Sequence, residues 1–261
     1  MRNNLNTEYK LVGVSEAIRQ LGRDIEIAAS HDDNILITGE TGTGKEIVAR
    51  QIHAKSARCE KPFIAVHCGA IPTDLIESEL FGHKKGSFTG AICDQAGKLE
   101  LAYGGTVMLD EIGTMSISLQ PKILRWLEDG EFYPVGGHVP VRSDARVISA
   151  MNGTLTPDNL REDVLYRICI DCIHVPALRE RNEDIMPIVE FYLDRLNESK
   201  NTEVKLDDSA REALMGHNYP GNIRELENIV RYAFLHRNDG VITGDVINRR
   251  IKAMPQYDKR A

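Results

Sequence analysis

Two short strings carry the chemistry. GETGTGK, Gly39–Lys45, follows the β-type run NILIT and precedes the helical run KEIVARQIHAKSA. Glycines at this spacing let backbone N–H groups turn towards phosphate oxygens, and the helix N-terminus adds a favourable dipole. Lys45 then reaches β- and γ-phosphates, with Gly39, Glu40, Thr41, Gly42, Thr43 and Gly44 forming the cradle. The generic motif continues with Ser or Thr as a magnesium ligand, but Glu46 stands there. A carboxylate can hold the ion through water, so Mg2+ is expected without Glu46 as a direct ligand.

The second string is TVMLDEI, in which four strand residues deliver Asp110 and Glu111 to a strand's C-terminal end. Open α/β sheets bind ligands at that edge. Two adjacent acids suit a division of labour: Asp110 towards the metal, Glu111 towards a water attacking the γ-phosphate. Positive charge for the leaving phosphate is available from Arg161 and Arg167 in LREDVLYRI and from Arg224 in YPGNIRELENIV. A third stretch, FGHKKGSFTGAICD, follows no helix or strand period. It sets Phe88 and Thr89 between Gly86 and Gly90, the pattern of a hinged loop whose apolar tip needs a surface to land on.

The elements that position these groups read as alternating strands and helices. Strand-like NILIT, PFIAVHC, GTVMLDE, ARVISAMN and ICIDCIHV are separated by helical runs, which argues for a buried parallel sheet covered on both sides. The helix in SLQPKILRWLEDG is expected to use Ser118 as its cap, with Pro121 in the first turn and Gly130 past its end. From about Pro176 the strand signals stop and four helical runs follow. The expected division is an α/β nucleotide-binding domain over 1–175 and a helical domain over 176–261.

Composition bounds the class. Of 261 residues, 42% are hydrophobic and 27% charged, the values of an ordinary globular chain. A net charge of −7 argues against whole-surface attraction to nucleic acid. Five scattered cysteines fit a reducing compartment better than a disulfide frame. Cys169 and Cys172 have CxxC spacing, but in an extended run they point to opposite faces, so they are expected to pack in a buried strand rather than share a metal. No signal peptide and no membrane span is legible, and the expected location is cytoplasmic.

Taken together, GETGTGKE, ESELFGH, GSFTGA, GGTVMLDEIG, LRWLEDGEFYPVGG, REDVLYRI, VPALRER and YPGNIRELEN resemble the AAA+ ATPase domain of bacterial enhancer-binding proteins, the sigma-54-dependent activators. The resemblance runs from about Leu11 to about Lys252. GSFTGA is similar to the family's GAFTGA loop, with Ser87 in place of the first alanine, and Glu46 fits the family's GTGKE. The resemblance implies a P-loop αβα sandwich with a parallel sheet, followed by a small α-helical lid. It further implies a ring, usually a hexamer, with ATP between subunits. By it, Asp110 and Glu111 are Walker B, Asn152 sensor I, Arg161 and Arg167 trans-acting arginine fingers, and Arg224 sensor II. Gly86, Ser87, Phe88, Thr89, Gly90 and Ala91 form the loop that meets sigma-54 on the RNA polymerase holoenzyme.

Three departures matter. His67 stands where the family usually has an asparagine thought to hold the catalytic glutamate, so the coupling of hydrolysis to loop movement is expected to be altered or pH-sensitive. Met151 replaces the threonine before Asn152. GTLTPDN, leading from Asn152 to Arg161, is shorter than the usual connection, and weaker turnover is expected. No helix-turn-helix is legible, since Arg249, Arg250 and Lys252 are only one basic helix end. Two other functions fit the same chemistry: an AAA+ remodeller of a client outside transcription, and a nucleotide-gated module that scarcely hydrolyses.

Overall fold

The computed structural model describes residues 9–153 and 159–254, without the side chains of Thr73 and Asp74. Most of GTLTPDN therefore lies outside the described residues. The elements, in chain order, are α1 (Glu16–Ala29), β1 (Ile35–Thr38), α2 (Lys45–Lys55), β2 (Phe63–His67), α3 (Thr73–Phe81), β3 (Gly82–His83), β4 (Gln95–Ala96), α4 (Lys98–Leu101), β5 (Thr106–Asp110) and α5 (Gln120–Asp129). Then come β6 (Glu131–Phe132), β7 (Val141–Arg142), β8 (Arg146–Met151), α6 (Glu162–Ile168), β9 (Asp171–His174), α7 (Ile185–Lys200), β10 (Lys205–Leu206), α8 (Asp208–Met215), α9 (Asn222–Leu235), β11 (Val241–Ile242) and α10 (Gly244–Ala253).

The chain separates into two compact units. The first includes Gly22–Gly39 and Lys45–His174; the second includes Leu11–Leu21, Glu40–Gly44 and the chain from Val175. A reading in sequence order cannot express this grouping, because two short early segments belong with the late helices.

In the first unit, five strands form one parallel sheet in the order β2-β5-β8-β1-β9. The three central strands are buried along nearly their whole length, whereas β2 and β9 at the edges are partly exposed. That difference explains why the central strands read as continuous apolar runs. Leu36, Leu109 and Val147 of the sheet pack with Leu80, Ile123 and Trp126 of the helices. Each such side chain, fully buried, contributes about 1.5–3 kcal/mol. Trp126 also donates its indole N–H to the Ser143 carbonyl at 3.0 Å.

The second unit has its own core, with Leu193 of α7, Leu214 of α8, Leu226, Ile229 and Val230 of α9 and Ile247 of α10. Tyr219 is fully buried and satisfies its hydroxyl on the Leu214 carbonyl at 2.6 Å.

Two local expectations change, and one feature went unannounced. Ser118 does not cap α5: the helix begins at Gln120 with Leu119 before it, and the Ser118 hydroxyl meets Ser116 at 3.2 Å. Pro121 and the left-handed Gly130 stand as expected. The CxxC pair also differs. Cys169 is at the end of α6 and Cys172 is exposed on edge strand β9, so strand alternation does not separate them. Burial, with the Cys172 thiol beside it, pushes Cys169 up to about 11. Finally, three two-residue strand pairs, β3–β4, β6–β7 and β10–β11, are too short for any periodicity to announce.

Candidate active site

Sheet order assembles the site. The strands β2, β5, β8 and β1 lie side by side, so the residues at their C-terminal ends, His67, Asp110, Asn152 and Gly39, form a row. Register sets the detail: His67 lies directly opposite Asp110, and Thr38 opposite Met151. All these residues belong to the first unit.

Lys45, at the start of α2, is buried. Its ammonium donates to the Gly39 carbonyl at 3.0 Å and to the Asn152 carboxamide oxygen. The same carboxamide donates from Nδ2 to Glu111 Oε1 at 3.0 Å. One asparagine thus bridges the phosphate-loop lysine and the second acid. Glu111 has a left-handed backbone, φ 55°, which turns it out of the strand. Its Oε2 occupies the space that a Cβ at Gly69 would fill.

His67 does something other than what the family's asparagine suggests. Its Nδ1 lies 3.0 Å from Asp110 Oδ2, and no hydrogen bond joins it to Glu111 among the described residues. Burial pushes the Asp110 carboxyl above its ordinary range, with His67 and Lys45 opposing the shift. Cys68, buried behind these acids, is pushed up to about 12, by burial first and Asp110 next, so it is an inert thiol. Glu46 turns away onto Arg50, accepting from Nε at 2.8 Å and Nη2 at 2.7 Å.

Arg161, just before α6, and Arg167, within it, are engaged apart from this row. Arg161 forms a two-point ion pair with Asp163, Nε–Oδ1 3.1 Å and Nη2–Oδ2 2.7 Å, on the surface. Its backbone N–H is held by the fully buried Gln120 at 2.8 Å. Arg167 donates to the Leu127 carbonyl at 3.2 Å.

In the second unit, the segment Glu40–Gly44 is fastened to the late helices. Arg179 clasps the Glu40 carboxylate with both terminal nitrogens, at 2.8 and 2.9 Å. Arg181 donates to the Thr43 carbonyl, and buried Asn222 donates to Glu40 Oε2 at 3.1 Å and the Thr41 carbonyl at 3.0 Å. Gly42 accepts from the backbone N–H groups of Ile223 and Arg224. Arg224 itself presents its side chain to solvent. Gln120, Arg179, Arg181 and Asn222 were not singled out from sequence. The available signals were VPALRER, which contains Arg179 and Arg181, and YPGNIRELEN, which contains Asn222.

The loop between β3 and β4 is closed by Asp94, which accepts from Lys84 Nζ and the Lys85 N–H at 2.8 Å each. Gly86 N–H donates to the Ala91 carbonyl at 2.8 Å. Phe88, Thr89 and Gly90 are exposed, whereas Ala91 is buried at the stem. Phe88 is 39% exposed, and its ring meets buried His83 edge-on, centroids 5.0 Å apart. Phe88 is therefore supported from beneath and not sunk in the core.

Among the described residues no helix is long and apolar enough to cross a membrane, and no group of three or more His, Cys, Asp or Glu could hold a metal unaided. The donors at Asp110 are hard carboxylate oxygens, which fit Mg2+ delivered with nucleotide phosphates.

The Nif-specific regulatory protein of Azotobacter vinelandii is 42% identical over 252 residues, covering 95% of this chain and 48% of that protein. The DNA-binding transcriptional regulator NtrC of Rhizobium meliloti (strain 1021) is 42% identical over 247 residues, 93% of this chain and 51% of that protein. The chain thus spans about half the length of these relatives. Among solved structures, NtrX from Brucella abortus in complex with ADP superposes with a TM-score of 0.86 at 35% identity, covering 97% of this chain and 58% of NtrX. The same protein in complex with ATP gives 0.86 at 36% identity, with 97% and 57% covered. The sigma-54 interaction domain matches residues 11–174 and the AAA+ ATPase lid domain residues 179–261. The chain belongs to the family of sigma-54 interaction domains and carries the AAA+ lid.

Proposed function

We propose that this chain hydrolyses ATP and uses the cycle to remodel a sigma-54 RNA polymerase holoenzyme through the loop tipped by Phe88 and Thr89. The observation that carries the reading is the row at the sheet edge, where Lys45, Asn152 and Glu111 are joined beside Asp110 while the loop tip stands in solvent. Gly39–Lys45 hold the phosphates, with Lys45 on the β- and γ-groups. Asp110 would hold Mg2+, which when bound neutralises charge on the β- and γ-oxygens. Glu111 takes the proton from the attacking water, and Asn152 reports the γ-phosphate. Arg224, in the second unit, is the sensor II residue by family resemblance.

Arg161 and Arg167 serve a neighbouring copy in a ring, a hexamer by family resemblance. Their engagement with Asp163 and Leu127 in the single chain suits donation across a subunit boundary better than a role at their own Lys45. Relatives named as transcription regulators, and an NtrX solved with ATP and with ADP, support the same reading. Such a cycle belongs in the cytoplasm, at promoters.

Phosphate release measured against protein concentration tests the first half: trans arginines require activity that rises steeply with assembly. Thr89→Ala tests the second. It should keep hydrolysis yet lose capture of the polymerase in a transition-state analogue, and if both survive unchanged the loop assignment is wrong.

A further inference from the structure

We infer that His67 is a positioning residue for the metal-binding carboxylate of Asp110, leaving Glu111 to be positioned by Asn152 alone; this rests on the nucleotide site proposed above. The two acids are adjacent in sequence but are held from opposite sides. Parallel register places His67 opposite Asp110, and the Nδ1–Oδ2 separation is 3.0 Å. A carboxylate oxygen only accepts, so the contact is favourable when Nδ1 carries a hydrogen.

Glu111 cannot share the same tether. Its left-handed backbone swings the side chain across the turn after β2, where glycine at position 69 leaves room for Oε2. There Oε1 meets Asn152 Nδ2, and the far side of that carboxamide faces Lys45. An imidazole already committed to Asp110 has one ring nitrogen left, Nε2, on a side chain that is 53% exposed.

The physical consequence falls on the metal. Asp110 Oδ1 accepts from the Glu111 N–H at 3.0 Å, so Oδ2 is the oxygen whose orientation His67 sets. A hydrogen-bond partner behind a ligating carboxylate fixes its orientation, and removing such partners typically costs about 10–100-fold in metal affinity. The nitrogen of an asparagine amide sits where Nδ1 of histidine sits, one bond from Cγ, so His67→Asn retains a donor at that place while His67→Ala does not.

The test uses the whole chain, with Mn2+ in place of Mg2+. Mn2+ affinity of the ADP complex is read by electron paramagnetic resonance, and affinity for a fluorescent ADP analogue is measured in EDTA. His67→Ala should weaken Mn2+ about tenfold, by a larger factor than it weakens metal-free ADP, and His67→Asn should recover most of the loss. Asn152→Ala should change the preference for the β,γ-imido analogue of ATP over ADP more than it changes Mn2+ affinity. Equal losses of Mn2+ and metal-free ADP in His67→Ala, or Mn2+ affinity that does not move, would overturn the assignment while leaving the nucleotide site intact. A parent chain that binds neither ADP nor the ATP analogue would overturn the site and the inference together.

Discussion

Asn222 offers the sharpest test of how the phosphate loop is held. It is fully buried, has a left-handed backbone with φ 54°, and engages both ends of its side-chain amide. Oδ1 accepts from the Leu178 N–H at 2.8 Å, and Nδ2 is shared between the Glu40 carboxylate and the Thr41 carbonyl. Asn222→Ala removes three hydrogen bonds and leaves the Leu178 N–H buried without this acceptor. The neutral bond to the Thr41 carbonyl at about 1 kcal/mol, the Leu178 N–H left without its acceptor at about 2 kcal/mol, and a carboxylate bond discounted to about 0.5 kcal/mol because Glu40 is partly exposed come to about 3–4 kcal/mol. For a chain of this size that is a fall in melting temperature of about 10 °C.

Urea unfolding followed by circular dichroism reads the stability, and Asn222→Gly separates the two causes. Glycine relieves the left-handed backbone but loses the same bonds, so it should fall within about 1 kcal/mol of alanine. Nucleotide affinity should weaken in both, because Glu40 and Thr41 lose an anchor. A parent-like Asn222→Gly would show that backbone strain and not hydrogen bonding dominates, refuting the reasoning. So would an Asn222→Ala within about 0.5 kcal/mol of the parent, the scatter of an ordinary surface change.

Two further outcomes follow from the second unit. Gly42→Ala should destabilise the loop and weaken ATP-analogue binding, because at φ 79° its Cβ would run into the Gly221 carbonyl; a melt and a binding titration indistinguishable from the parent would discard that contact. Glu225 is buried, which raises its pKa, but His217 Nε2 at 2.8 Å and the Gly221 N–H at 2.7 Å outweigh burial and hold it below the ordinary glutamate value of 4.5. A depressed folded value means stabilisation that is present above the unfolded pKa and lost as pH falls through the folded one. Stability measured downward from pH 4.5 should therefore fall more steeply in the parent than in Glu225→Gln.

Much of the architecture was legible because it is written locally. GETGTGK between a strand and a helix, and LDE at the end of an apolar run, need only adjacent residues to be recognised, and strand alternation with helices requires a parallel sheet. Local signals failed where a choice depended on distant groups. Ser118 is a good cap by type, yet Gln120 is needed to hold Met115, Asn159 and Arg161, and the helix starts at Gln120. Cys169 and Cys172 read as residues on opposite faces of one strand, but Cys169 ends α6 and only Cys172 lies on β9, which leaves the two thiols side by side.

Sequence alone determined the chemical inventory: a phosphate loop, two acids, an asparagine, arginines and an apolar loop tip, because each is a matter of residue type and short spacing. Tertiary structure decided who serves whom. Strand order brought Lys45 and Asn152 together across 107 positions, and register gave His67 to Asp110. A left-handed turn at Glu111, with room left by Gly69, gave the other acid to Asn152. Hydrogen bonds are short and directional, so partnership is settled by where strand ends finish in space, which no stretch of adjacent residues records.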